Sequence, residues 1–170
     1  MEIKNIKKKN VYLVVAINEC AWYGKEDVKE RLKKLPLTIQ YVIKKNMKPL
    51  QEMEADFQQF RDEQEMKLKE KWFDDEHSVT TKVKQPGPDG KEQEVDGRQI
   101  KDEFLKDYQA DVLNLNKQLE GLLTQTDEVK YTPINLDYLV ETAGDDSITI
   151  DDVDMISLFS EEDNTEEDGE

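Results

Sequence analysis

The residues best equipped for chemistry surround the single histidine. His77 follows Asp74, Asp75 and Glu76, and an imidazole beside carboxylates is a donor set that divalent metals accept. Three adjacent side chains cannot all turn toward one ion, so the expectation is a solvated loop histidine and no metal site. Cys20 is the only cysteine. One cysteine and one histidine rule out an internal disulfide framework and a Cys/His zinc site built by this chain alone. Cys20 follows the apolar run Val11 to Ile17, so it reads as a small core hydrophobe rather than a nucleophile.

A second cluster lies near the C-terminus. Residues 144–152, Gly-Asp-Asp-Ser-Ile-Thr-Ile-Asp-Asp, resemble the back half of a calcium loop. Aligning Ile148 with the apolar eighth position puts Ala143 at the third ligand and Asp146 where the turn needs glycine. An acidic surface loop is therefore expected instead, with Ser147 to Ile150 as a strand and Asp151 capping a last turn. The seven glycines match neither a P-loop nor a dinucleotide fingerprint. A Ser-His-Asp triad would have to use His77, and no nucleophile-elbow sequence is present. Carboxylates are abundant everywhere, and abundance is no signal of paired-carboxylate hydrolysis. The expectations are no catalytic residue, no cofactor and no enzyme.

Charge divides the chain. It carries 40 acids and 24 bases in 170 residues, a net charge of −16. Residues 1–50 are nevertheless net +7, residues 51–170 are net −23, and no base follows Lys130. The total disfavours a generally basic binder of nucleic acid or anionic membrane. The basic N-terminal region, with Trp22 and Tyr23 between its two lysine groups, could contact nucleic acid, but neutralisation by the acidic C-terminus is the more economical reading. Residues 160–170 hold seven acids and no apolar side chain, so a disordered acidic tail is expected there. Mimicry of a nucleic-acid backbone is the sharper alternative. The apolar run lacks a cleavage site and the length to span a bilayer, so a cytoplasmic protein without a membrane segment is expected.

The elements that position these groups follow from periodicity. Apolar residues predict N-terminal helices over 9–34, with Gly24 as a stop. Ile39, Ile43, Met47, Leu50, Met53, Phe57 and Phe60 recur every three or four residues, predicting a long helix over 36–73, kinked or broken near Asn46 by Pro49. Ile100, Phe104, Tyr108, Val112, Leu115, Leu119 and Leu122 predict a second helix over 96–124. Between them Pro88-Asp-Gly90 is a turn flanked by Thr- and Val-containing segments, predicting a β-hairpin over 79–95. A docking segment over 128–159 is extended through Ile134, and Asn135 or Asp137 caps a short helix. The expected fold is mainly α, a single domain over 1–159: an antiparallel, coiled-coil-like helical hairpin with a small β-hairpin at its tip and short N- and C-terminal elements packed at the other end.

Residues 35–46, Leu-Pro-Leu-Thr-Ile-Gln-Tyr-Val-Ile-Lys-Lys-Asn, head an acidic helix to Trp72. Then come Pro88-Asp-Gly90, Val95, a second helix and Glu128-Val-Lys-Tyr-Thr-Pro-Ile-Asn-Leu136. This order, over residues 30–140, resembles a loose group of small uncharacterised proteins of tailed phages and prophages of Gram-positive bacteria. The resemblance brings no activity or site residue. It implies a phage origin, with a role in virion assembly or in dealing with the infected bacterial host.

The expected function is a non-enzymatic protein–protein interaction protein, an accessory or anti-defence factor that binds and inhibits a host protein. The alternative is a virion assembly chaperone or minor structural component that forms homo-oligomers. Nucleic-acid binding or mimicry ranks third. The expected partner is a protein. Its contacts are placed at the tip (Thr80, Lys82, Lys84, Asp89, Glu92 and Glu94) and on the acidic surface (Asp145, Asp146, Asp151, Asp152 and Asp154).

Overall fold

The structure is a computed structural model that describes residues 6–144 and 147–161. Among them are six α-helices and four strands, the strands forming two antiparallel two-stranded sheets. This overturns the expected mainly helical hairpin: the fold is mixed α/β. In chain order the elements are β1 (Lys7–Tyr12), α1 (Leu13–Tyr23), α2 (Glu26–Leu32), α3 (Leu37–Trp72), β2 (Ser78–Pro86) and β3 (Glu92–Ile100). They continue with α4 (Asp102–Leu122), β4 (Thr126–Tyr131), α5 (Leu136–Ala143), α6 (Ile150–Ile156) and a 3-10 turn, Ser157–Phe159. No helix among the described residues is long and apolar enough to cross a membrane.

The chain divides into two compact units, Met1–Asp56 with Leu123–Glu170, and Phe57–Leu122. In the first, β1 pairs with β4 from Lys7↔Tyr131 to Tyr12↔Thr126. The helix predicted from residue 9 therefore begins only at Leu13. Its start is held by Leu13 N–H donating to Gln125 O and Val14 N–H to Leu123 O. The core of this unit gathers Val11, Ala16 and Trp22 with Ile39, Ile43, Met47, Leu50 and Met53 of α3, and with Val129, Leu139, Ile156 and Phe159.

That packing explains the second correction. The front of the α3 stripe is spent on the core of the first unit, not on a seam with α4. Ile100 is a strand residue opposite Ser78. Only the rear of the stripe meets α4, where Trp72 packs on Phe104 and Tyr108 with centroids at 6.3 and 6.2 Å and its Nε1 donates to Asp111 at 2.9 Å, and no residue of α4 is fully buried. Pro49 lies inside α3 without ending it.

Asn46 is buried, and its amide makes a two-way bridge to one residue beyond β4. Nδ2 donates to Thr132 O at 2.8 Å, and Oδ1 accepts from Thr132 N–H at 2.8 Å. Asn46→Ala leaves both backbone groups without these partners, and buried groups so stranded cost about 1–3 kcal/mol. The expected loss is about 2 kcal/mol, read as a lower urea midpoint at an unchanged slope.

At the C-terminal end of this unit, Asn135 caps α5 by accepting from Tyr138 N–H. The predicted strand at Ser147 to Ile150 is absent. Instead Thr149 caps α6 in a capping box with Asp152, each side chain bonded to the other's backbone N–H. The expected tail over 160–170 lies, beyond Glu161, outside the described residues.

Candidate functional site

In the second unit, β2 and β3 form a ribbon in continuous register from Ser78↔Ile100 to Pro86↔Glu92. The Asp89-Gly90 signal builds its end. Asp89 Oδ1 accepts from Lys91 N–H at 3.2 Å, Gly90 adopts φ +76°, and Gly87 N–H donates to Lys91 O at 2.7 Å. A side chain at Gly90 would be strained by that backbone angle.

Directly opposed residues share a face of the ribbon. One face carries Thr80 opposite Arg98, Lys82 opposite Asp96, Lys84 opposite Glu94 and Pro86 opposite Glu92. The other carries Val79 opposite Gln99, Thr81 opposite Gly97, Val83 opposite Val95 and Gln85 opposite Gln93. Val83 lies across Gly97, where a Cβ would meet Val83 Cγ2 at 2.6 Å. Val79 is nevertheless 48% exposed and Val83 39% exposed. Neither strand pairs with a third among the described residues. The ribbon thus offers one charged face, one uncharged face with three valines among Thr and Gln side chains, and two open edges.

Among the predicted contact residues, Thr80, Lys82, Lys84, Asp89, Glu92 and Glu94 come together on this ribbon and its turn, all exposed. The acidic set is divided. Asp151 and Asp154 are exposed on α6, and Asp145 and Asp146 lie outside the described residues. Asp152 is fully buried and cannot belong to a contact surface. Its Oδ1 accepts from Trp22 Nε1 (3.0 Å) and Arg31 Nη2 (3.0 Å), and its Oδ2 accepts from Arg31 Nε (2.7 Å) and Thr149 N–H (3.0 Å). Burial pushes this carboxyl up, but the bonds from Arg31, Thr149 and Trp22 outweigh it and hold it down at about 2. Its four donors also remove it as a calcium ligand.

The histidine cluster is closer than expected. Ligand atoms of Asp74, Glu76 and His77 lie within 4.8 Å of one another, because the residues sit on a turn rather than an extended segment. Asp75 points elsewhere, to Arg98 at 2.8 Å. Asp74 Oδ1 is engaged locally: His77 N–H donates to it at 2.9 Å and His77 Nδ1 lies at 2.7 Å. These bonds hold the Asp74 carboxyl below its ordinary range. The imidazole packs against Trp72 and Phe104, with centroids at 5.2 and 4.7 Å, so the residue braces the turn between α3 and β2.

Cys20 is held as a thiol. Burial pushes it up to about 12, reinforced by its hydrogen bond to Glu54 and by the charges of Glu54 and Glu19. A thiol so rarely ionised is a poor nucleophile.

The sequence reading missed two features of the first unit. One is the Arg31–Asp152–Trp22 cluster, whose detectable half was the capping-box spacing of Thr149 and Asp152. The other is a groove of about 410 Å³ between α2 and the start of α3, rimmed by lysines and floored by apolar side chains. Its exposed Leu37 and Tyr41, at i and i+4, were visible in the sequence as off-stripe apolar positions. Comparison with protein-family models, with curated proteins and with solved structures finds no match.

Proposed function

We propose that the chain acts by binding another protein through the β2–β3 ribbon, without turning over a substrate. The observation that carries this reading is the ribbon itself. It has nine residues per strand, both edges unpaired among the described residues, and Val79 and Val83 open on one face. Open strand edges are templates for pairing with another chain. A two-stranded ribbon gains stability when its exposed valines are covered.

The finer reading is an accessory factor that binds and inhibits a protein of an infected bacterial host, acting in that host's cytoplasm. The resemblance to phage and prophage proteins supports it. The charged ribbon face adds selectivity, because Lys82 and Lys84 oppose Asp96 and Glu94 and would admit only a partner with matching charges.

The test is quantitative capture from host lysate by the full chain and by a Val79→Ser/Val83→Ser variant of unchanged circular dichroism. Each valine is worth about 1.5–3 kcal/mol when fully buried. Removing both is therefore expected to weaken capture of the specific partner at least about tenfold. Equal capture by the two chains, or substrate turnover abolished by changing a single carboxylate, would overturn the proposal.

A further inference from the structure

The groove of the first unit has a chemistry that the ribbon does not use. Its residues come from the end of α1, from α2 and from the first two turns of α3. The lining includes Lys29, Lys33 and Lys44 and no carboxylate, in a chain with 40 acids and 24 bases. Among the described residues, Lys29 and Lys33 make only exposed pairs on their own stretch of chain, to Glu26 at 3.7 Å and Glu30 at 2.9 Å. Such pairs are worth little and leave the ammonium groups open to a competing anion. Lys44 has no ion-pair partner among the described residues.

Beneath the rim the groove is apolar. Buried Leu32 and Ile43 form its floor, and Tyr23 forms one wall. Leu37 is 80% exposed and Tyr41 64% exposed at its mouth. Unlike the ribbon, the groove has no open strand edge from which a contact could extend toward the roughly 800 Å² per partner of a protein interface. A volume of about 410 Å³ instead falls within the range of about 300–1,000 Å³ typical of small-ligand sites.

We propose that this groove binds one molecule of an amphiphilic anion, an aliphatic body ending in a carboxylate or phosphate. The body lies on Leu32, Leu37 and Tyr41, and the anionic head meets Lys33 and Lys44. The acidic stretch over residues 162–170 matches the rim in charge but has no apolar side chain for the floor, so its chemistry fits the groove less well than an amphiphile's.

Titration calorimetry on the full chain tests this with octanoate, 1-octanol and acetate. Octanoate is expected to saturate at one molecule per chain, with 1-octanol at least tenfold weaker and acetate undetectable. Lys33→Gln/Lys44→Gln is expected to weaken octanoate at least tenfold. Leu37→Ser, at an exposed position that leaves the fold intact, is expected to weaken octanoate and 1-octanol alike. The proposal is overturned if octanoate does not saturate, if 1-octanol binds as tightly, or if both variants keep full affinity. It is also overturned if lysine-dependent binding appears only with phosphatidylglycerol vesicles, or if a peptide of residues 162–170 displaces octanoate at equal concentration.

Discussion

Asp152→Asn is expected to destabilise the first unit by about 2–4 kcal/mol at pH 7. Removing one member of a buried ion pair costs about 3–5 kcal/mol because its partner charge is stranded. A somewhat smaller loss applies here, because Arg31 is partly exposed and keeps a bond to Asp27 at 3.2 Å. An Asn side chain also has one acceptor oxygen for the four donors that now converge on the carboxylate, and its own NH2 would face a donor. The bond from Thr149 N–H to the carboxylate, half of the α6 capping box, is put at risk, while Thr149 Oγ1 still accepts from the backbone N–H of residue 152. The pH dependence has a definite sign. The folded carboxyl titrates near 2 and an unfolded one near 3.8, so its stabilisation is complete above pH 3.8 and is lost as the pH falls through 2. Urea midpoints of the parent and variant should differ widely at pH 7 and converge toward pH 2. Equal midpoints at pH 7 would remove Asp152 from the structural centre of this unit.

Glu19→Gln is expected to act in the opposite direction and stabilise the protein. Glu19 is only 5% exposed, and its Oε2 has no hydrogen-bond partner. Burial pushes its carboxyl up to about 8, against the pull of the Lys9 charge. The folded state then binds a proton that the unfolded chain, titrating near 4.5, does not hold between pH 4.5 and 8. The contribution of Glu19 is therefore most favourable below pH 4.5 and declines as the pH rises through 8. At about 1.4 kcal/mol per pH unit, the accumulated penalty at pH 7 is about 3 kcal/mol, which a neutral isostere avoids. The variant should match the parent near pH 4.5 and exceed it by about 2–3 kcal/mol at pH 7. Denaturant melts at pH 5 and pH 8 check this, and parallel pH profiles for the two chains would contradict it.

What the sequence made legible was local. The Asp89-Gly90 turn, the Asn135 cap and the ribbon depend on residues a few positions apart, and turn and cap chemistry acts at that range. The α3 period was equally plain, since Ile39 to Phe60 mark one helix face. An amphipathic stripe shows that a face is covered without naming its cover. In α3 that cover is the core of the first unit, which draws in Val11, Val129, Leu139, Ile156 and Phe159, and Asn46 bonds Thr132, 86 positions along the chain. Strand β1 was obscured because Lys7, Lys8 and Lys9 are poor strand formers, and its partner begins more than 100 residues away. Asp152 looked like one acid among many because Arg31, 121 positions away, makes it different. The exposed positions of the ribbon were readable from β-propensity and turn chemistry. The lysine-rimmed groove required the folding of α2 against the start of α3.

Hydrogen–deuterium exchange on the full chain, alone and with its captured protein bound, tests the ribbon proposal most directly. Binding is expected to slow exchange across Ser78–Pro86 and Glu92–Ile100, with the largest change at Val79 to Val83. Protection confined to α5, α6 or the α2–α3 groove, with the ribbon amides unchanged, would contradict it.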